Sequence, residues 1–191
     1  DQFSQDDFEE MVEVASESAN TINIAACRDL GVLDSFIEEW TEGVKLLGAE
    51  DLDPFVFEDY PNLKNNAQEA AAELDRLTQR QKIFWFPIGS SPDNLSICPG
   101  NLILTGTRPR VVHDWTKAGL NQRLMIPDVH YGTMDSFLEK LKPRAYMAGL
   151  DFQDCFLHWK VHRVSRRWLG LRHPITGRIG VFLFVPFGQK L

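Results

Sequence analysis

The 191-residue sequence predicts an α+β fold, with helices over roughly its first 80 residues and an antiparallel sheet with flanking helices after them. Two observations carry that expectation. Apolar residues recur at steps of three and four through the first part of the chain. At Lys82 the texture switches to short runs rich in aromatic and β-branched residues, punctuated by Pro and Gly. A hydrophobic content of 43% with 25% charged residues is ordinary for a globular chain able to bury a core. No apolar run approaches the ~20 residues that a membrane helix needs.

Residues 5–18 read as a first helix, opened by an Asp6-x-x-Glu9 capping-box pattern. Leu33, Phe36, Ile37, Trp40, Val44 and Leu47 form one apolar stripe, expected to pack inward, with Glu38, Glu39 and Glu42 off it. A third helix is expected over about 66–80, capped by Asn66-x-x-Glu69 and buried through Ala70, Leu74 and Leu77. Residues 82–86 then read as a strand closed by Pro87, and a turn-rich loop covers 89–94. Short strands follow near 101–105 and 109–113. After an irregular stretch from Asp114 to Gly132, Thr133 caps a short helix through Leu141. The remaining strands are expected near 145–151, 156–161, 167–172 and 179–185. Two units result: an acidic helical extension over 1–65, and an α+β body over 66–191.

Charge divides the chain differently. Residues 1–100 carry 21 acidic and 6 basic side chains, whereas residues 101–191 carry 6 and 14. The basic half is a candidate for phosphate or nucleic acid, and a basic surface with no partner is the plain alternative. Three widely spaced cysteines, Cys27, Cys98 and Cys155, suggest a reducing, intracellular setting rather than a disulfide framework. The acidic opening residues resemble neither a signal nor a transit peptide. Cys155, His158 and His162 have ligand-like spacing, but a fourth ligand is missing and strand alternation would separate them.

The stretch Tyr146-Met-Ala-Gly-Leu-Asp-Phe-Gln-Asp-Cys-Phe156 carries the chemistry. An apolar strand delivers Asp151 at its end, with Asp154 three residues on and Phe156 five. A carboxylate so held can present its charge to a cation, or it can cap a turn. Upstream, Arg110 starts a strand and Asp114 ends it, with Leu120-Asn121 beyond. Downstream, an apolar strand over 181–185 closes on Pro186-Phe187-Gly188. Asp114 and Asn121 are expected to fix the turn rather than touch a substrate.

Taken in order, an Arg-bearing strand ending in Asp, a hydrophobic-Asp-x-x-Asp-x-aromatic segment 37 residues later and a Pro-Phe-Gly closure resemble the retroelement, retrotransposon-type reverse transcriptases. The resemblance covers residues 100–191 well and 40–99 more loosely. It implies the fingers and partial palm of a right-hand polymerase, truncated before the Asp-Asp motif. Asp151 would be the first catalytic aspartate, bridging two Mg2+ ions ~3.5–4 Å apart. Phe152 would offer its carbonyl to the second ion. The backbone N–H groups of Asp154 and Cys155 would face the triphosphate of an incoming deoxynucleotide. Phe156 would be the steric gate against a 2′-hydroxyl. Arg110 would pair with the triphosphate, its planar fork suiting that task, or it is an edge-strand surface arginine. Phe187 and Gly188 would line the loop beside the templating pair. Lys160, Arg163, Arg166 and Arg167, with Arg172 and Arg178, would lie near the RNA or DNA template-primer, or they form a solvated strand face.

Two departures from the pattern bear on function. The stretch 101–107 has no lysine to assist Arg110, which implies weaker triphosphate binding or a substitute in Lys117. Asp114 and Asn121 are two residues further apart than in retroviral enzymes. A lone Asp151 cannot supply the ligand charge of a two-ion centre, so the 191-residue polypeptide is expected to be inactive as a polymerase. The alternatives are a non-catalytic nucleic-acid-binding module and a decayed retroelement remnant.

Overall fold

A computed structural model describes residues 3–19, 22–104, 108–125, 133–139, 142 and 155–187. The strands predicted near 145–151 lie outside this set. Helix α1 spans Gln5–Ser18. Its box is built two residues earlier than the sequence suggests: the Ser4 hydroxyl accepts from the Asp7 N–H, and the Asp7 carboxylate accepts from the Ser4 N–H at 2.8 Å. A short helix α2 (Ile24–Asp29), which periodicity alone does not reveal, leads into α3 (Asp34–Glu42). The predicted stripe through Leu47 is cut at Gly43, whose φ of +100° is a conformation glycine adopts most readily. A Cβ there would stand 2.6 Å from the backbone nitrogen of His162. The chain leaves the helix so that Val44 can pair with the 160–162 segment, donating to Lys160 O and accepting from His162 N. Ile37 is buried, whereas Leu33, Phe36 and Leu47 are exposed, so the stripe is not the inward face expected.

Helix α4 (Pro61–Asn65) starts on a proline, whose fixed φ suits a first helical turn. It runs into α5 (Ala67–Gln79), which buries Ala70, Ala71, Leu74 and Leu77. Asn66 does not cap α5; its amide donates to the Asn62 carbonyl at 2.7 Å instead. Beyond α5, β1 (Ile83–Trp85) is an edge of a three-stranded antiparallel sheet in the order β1-β5-β4, with β4 over Gly170–Arg172 and β5 over Ile179–Phe182. A separate antiparallel pair joins β2 (Gly100–Ile103) to β3 (Arg110–His113). The segment expected as a strand near 156–161 folds mostly otherwise, and of the one near 167–172 the second half, Gly170–Arg172, is β4. Cys155–His158 and Arg163–Trp168 are 3-10 helices, the second capped by the His162 ring, which accepts from the Val164 N–H. Short helices α6 (Leu120–Arg123) and α7 (Met134–Leu138) complete the set, and the Thr133 hydroxyl caps α7 as expected, accepting from the Ser136 N–H.

One core binds these pieces. Phe8 and Val12 of α1, Leu46, Ala49 and Leu63 join Leu74, Phe86, Trp115, Trp168 and the β5 residues in a single buried cluster. Residues on both sides of position 65 contribute to this cluster. At ~25 cal/mol per Å² of apolar surface, fully burying one such side chain contributes about 1.5–3 kcal/mol. Phe8 meets Phe86 edge-on at 5.4 Å, fixing α1 against the sheet. Among the described residues no helix is long and apolar enough to cross a membrane.

His113, the last residue of β3, is buried between Trp115 and Phe182. Burial pushes its imidazole down to about 4 from an ordinary 6.5. Below pH 6.5 the unfolded chain binds a proton that the native state refuses until about pH 4, so stability rises with pH across that window. The contribution is complete above the ordinary value and is lost as acidification approaches about 4. His113→Gln is expected to flatten the pH dependence of urea unfolding between those limits, by on the order of 3 kcal/mol at the acid end. Parallel profiles for variant and parent would contradict this.

Candidate nucleotide and nucleic-acid site

The turn after β3 is the best-defined part of the site. The Asp114 carboxylate accepts from the Tyr60 hydroxyl at 2.6 Å and from the Lys117 N–H at 2.8 Å. The Tyr60 hydroxyl and the Lys117 amide hold Asp114 below the usual carboxylate range, and the same bond raises the Tyr60 phenol. Asn121 donates to the Thr116 hydroxyl at 3.0 Å. Both residues thus fix the turn, as their positions suggest. Lys117 is exposed, with its ammonium 4.6 Å from the centre of the Tyr60 ring.

From this turn the indole of Trp115, fully buried, donates to the Phe187 carbonyl at 3.3 Å. The Phe187 ring in turn meets Phe156 nearly perpendicularly, with centroids 6.4 Å apart. Phe156 sits on the 3-10 helix over Cys155–His158 and remains exposed. The fold therefore gathers Asp114, Phe187 and Phe156 from segments about 30 to 70 residues apart. Arg110 stands on the exposed face of β3, opposite Ile103 of β2, while Val111 and His113 point into the core. Asp151, Phe152, Asp154 and Gly188 lie outside the described residues, as does the side chain of Cys155.

The basic cluster is where the structure departs most from expectation. Lys160 and Arg166 are not free for phosphate. Both are buried, and both turn toward Glu13 of α1, at 3.3 and 2.8 Å. Arg166 also donates to the Ser16 hydroxyl at 2.9 Å and to the Val161 carbonyl at 3.0 Å. Burial pushes the Glu13 carboxyl up, but Arg166 and Lys160 outweigh it and hold the group low. Arg172 pairs with Glu58, and Arg178 donates to the carbonyls of Phe86 and Trp85. Arg167 stacks on Trp168 and donates to the Glu50 carbonyl. Arg163 is exposed. Sequence reasoning missed Glu13, Ser16 and Tyr60 as partners; the acid-base division of the chain hinted at the first, and nothing local marked the others.

A cleft of about 780 Å³ opens between α1 and the 163–168 segment, away from Phe156. Its lining is of mixed sign, with Glu9, Glu10 and Glu13 as well as Lys45, Arg163 and Arg167, together with the apolar Phe8, Leu95 and Trp168. The magnesium implied by the resemblance would rest on Asp151 and Phe152. Among the described residues no cluster of three or more His, Cys, Asp or Glu is arranged to hold a metal ion. The described part of the chain therefore does not by itself fit a two-ion centre.

The architecture is that of part of a reverse-transcriptase-like polymerase fold, a mixed array of helices and antiparallel strands. Two solved structures align over nearly the whole chain. The prototype foamy virus protease-reverse transcriptase, a CSH mutant, matches with a TM-score of 0.60 at 13% identity, over 99% of this chain and 25% of that one. A foamy viral protease-reverse transcriptase dRH in complex with double-stranded DNA matches with a TM-score of 0.60 at 15% identity, over 98% of this chain and 33% of that one. The chain thus spans a quarter to a third of the length of these structures. No protein-family model and no curated protein matches the sequence.

Tyr60→Phe removes the hydroxyl that serves Asp114 and is expected to lower stability at neutral pH. A carboxylate held low stabilises the fold above its unfolded pKa, and that contribution disappears as pH falls through the folded value. The penalty should therefore shrink in acid, and Asp114 in the variant should titrate nearer the ordinary carboxylate range by NMR. An unchanged Asp114 titration would count against the assignment.

Proposed function

We propose that the chain is the fingers and front part of the palm of an RNA-directed DNA polymerase from a retroelement, a nucleotidyltransferase acting on deoxynucleotides at a primer end. The observation that carries this reading is the likeness to reverse-transcriptase structures along almost the entire chain, with Phe156 and Phe187 set against each other beside the Asp114 turn. One of those relatives is a complex with double-stranded DNA, which supports a nucleic-acid role for this fold. The longer Asp114–Asn121 spacing favours a retrotransposon origin.

In this reading Phe156 excludes a 2′-hydroxyl by steric clash, a discrimination that needs shape rather than a hydrogen bond. Arg110, exposed on β3, receives the triphosphate as a charged fork. Magnesium, held by Asp151, the Phe152 carbonyl and carboxylates outside these residues, would supply charge stabilisation to phosphoryl transfer. With Lys160 and Arg166 engaged by Glu13, template-primer phosphates fall to Arg163 and, through what its stacking leaves free, Arg167.

The purified 191-residue chain is expected to bind a DNA primer on an RNA template with affinity that falls steeply as salt rises. Arg163→Ala should weaken binding across sequences and lower the salt slope by about one, whereas Arg28→Ala, on the acidic α2–α3 hairpin, should leave the slope unchanged. The same chain should not extend the primer with magnesium and deoxynucleotides. Measurable extension, or binding indifferent to salt, would contradict the reading.

A further inference from the structure

We propose that the outer face of the α2–α3 hairpin is a docking surface for a basic amphipathic helix of a partner protein. Leu33, Phe36 and Trp40 follow one another at steps of three and four, the spacing of a helical ridge. Buried Ile37 and the edge-on contact of Trp40 with Trp159 fix α3 to the body. That attachment leaves Leu30 83%, Leu33 65% and Phe36 49% exposed. Contiguous exposed apolar side chains of this size, rimmed by charge, are unusual on a surface that meets only water. In α2, none of the six residues is buried, so the hairpin adds little to the core that would explain its apolar content.

The rim decides what fits. At the helical repeat Glu39 borders the ridge, and Asp29, Asp34, Glu38 and Glu42 are exposed elsewhere on the same two helices. Against them, among the described residues, stand Arg28, 3.6 Å from Asp34, and Lys45, 4.0 Å from Glu42. Both pairs are well exposed and neutralise little. A second copy of this face would bring carboxylates against carboxylates, and a nucleic acid would be repelled. A helix with apolar residues at i, i+3, i+4 and i+7 and Lys or Arg flanking them satisfies both the ridge and its rim.

Two fluorescein-labelled synthetic peptides test this, each helical with the same Leu spacing, one flanked by Lys and the other by Glu. By fluorescence anisotropy on the 191-residue chain, the Lys peptide is expected to bind at least about tenfold more tightly. Leu33→Ser with Phe36→Ser should abolish that preference without lowering the thermal midpoint, because both side chains are already exposed. Glu39→Gln should weaken binding and reduce its salt dependence. Equal binding of the two peptides, or Lys-peptide binding untouched by the Leu33 and Phe36 changes, would overturn the proposal. So would sedimentation showing that the chain pairs with itself and that Phe36→Ser dissociates the pair.

Discussion

Arg166 is the group on which the two oppositely charged halves of the chain meet. Its guanidinium is buried, and each of three nitrogens has an acceptor: the Val161 carbonyl, the Glu13 carboxylate and the Ser16 hydroxyl. Burial pulls its pKa down, and the Glu13 carboxylate pulls against that. An arginine so placed without Glu13 would be an uncompensated charge in a region of low dielectric, which the fold tolerates poorly. Lys160 leans on the same carboxylate. One acidic residue of the first helix therefore fixes two cations that lie about 150 residues further along. The Phe8–Phe86 contact and the shared core then seat α1 beside the sheet.

That arrangement changes what the basic half is for. Six cations between Lys160 and Arg178 look, in one dimension, like a polyanion-binding strip. In three dimensions most are structural: two serve Glu13, one serves Glu58 and one serves backbone carbonyls beside β1. Among the described cations of that half, Arg110, Lys117, Arg123, Lys142 and Arg163 remain exposed. The acidic helices are the complement of this economy, since α1 spends carboxylates inward while α3 keeps its own on the surface.

Much of the fold could be read in the sequence where one period dominated. The buried face of α5 and the strands around 83–85, 100–103 and 110–113 follow from patterning. Patterning failed where a tertiary demand overrode it. The stripe through Leu47 promised one long helix, but the close approach of the 160–162 backbone to Gly43 ends it. Residues 167–172 read as one strand, yet only Gly170–Arg172 pairs in the sheet, because the 163–168 segment, capped by His162, winds into a 3-10 helix. In the site, the Asp114 turn was legible because carboxylates recur at such turns. The burial of Lys160 and Arg166 was not, because a long-range ion pair leaves no local mark in a sequence.

The coupling between Glu13 and Arg166 is the direct test of this account. A double-mutant cycle with Glu13→Gln, Arg166→Met and the combined variant, followed by urea unfolding, isolates it from other losses. The account predicts that each single change destabilises the chain and that the double change costs less than their sum, with a coupling of about 1–3 kcal/mol. Additivity within about 0.5 kcal/mol would mean that the first helix is held by something else.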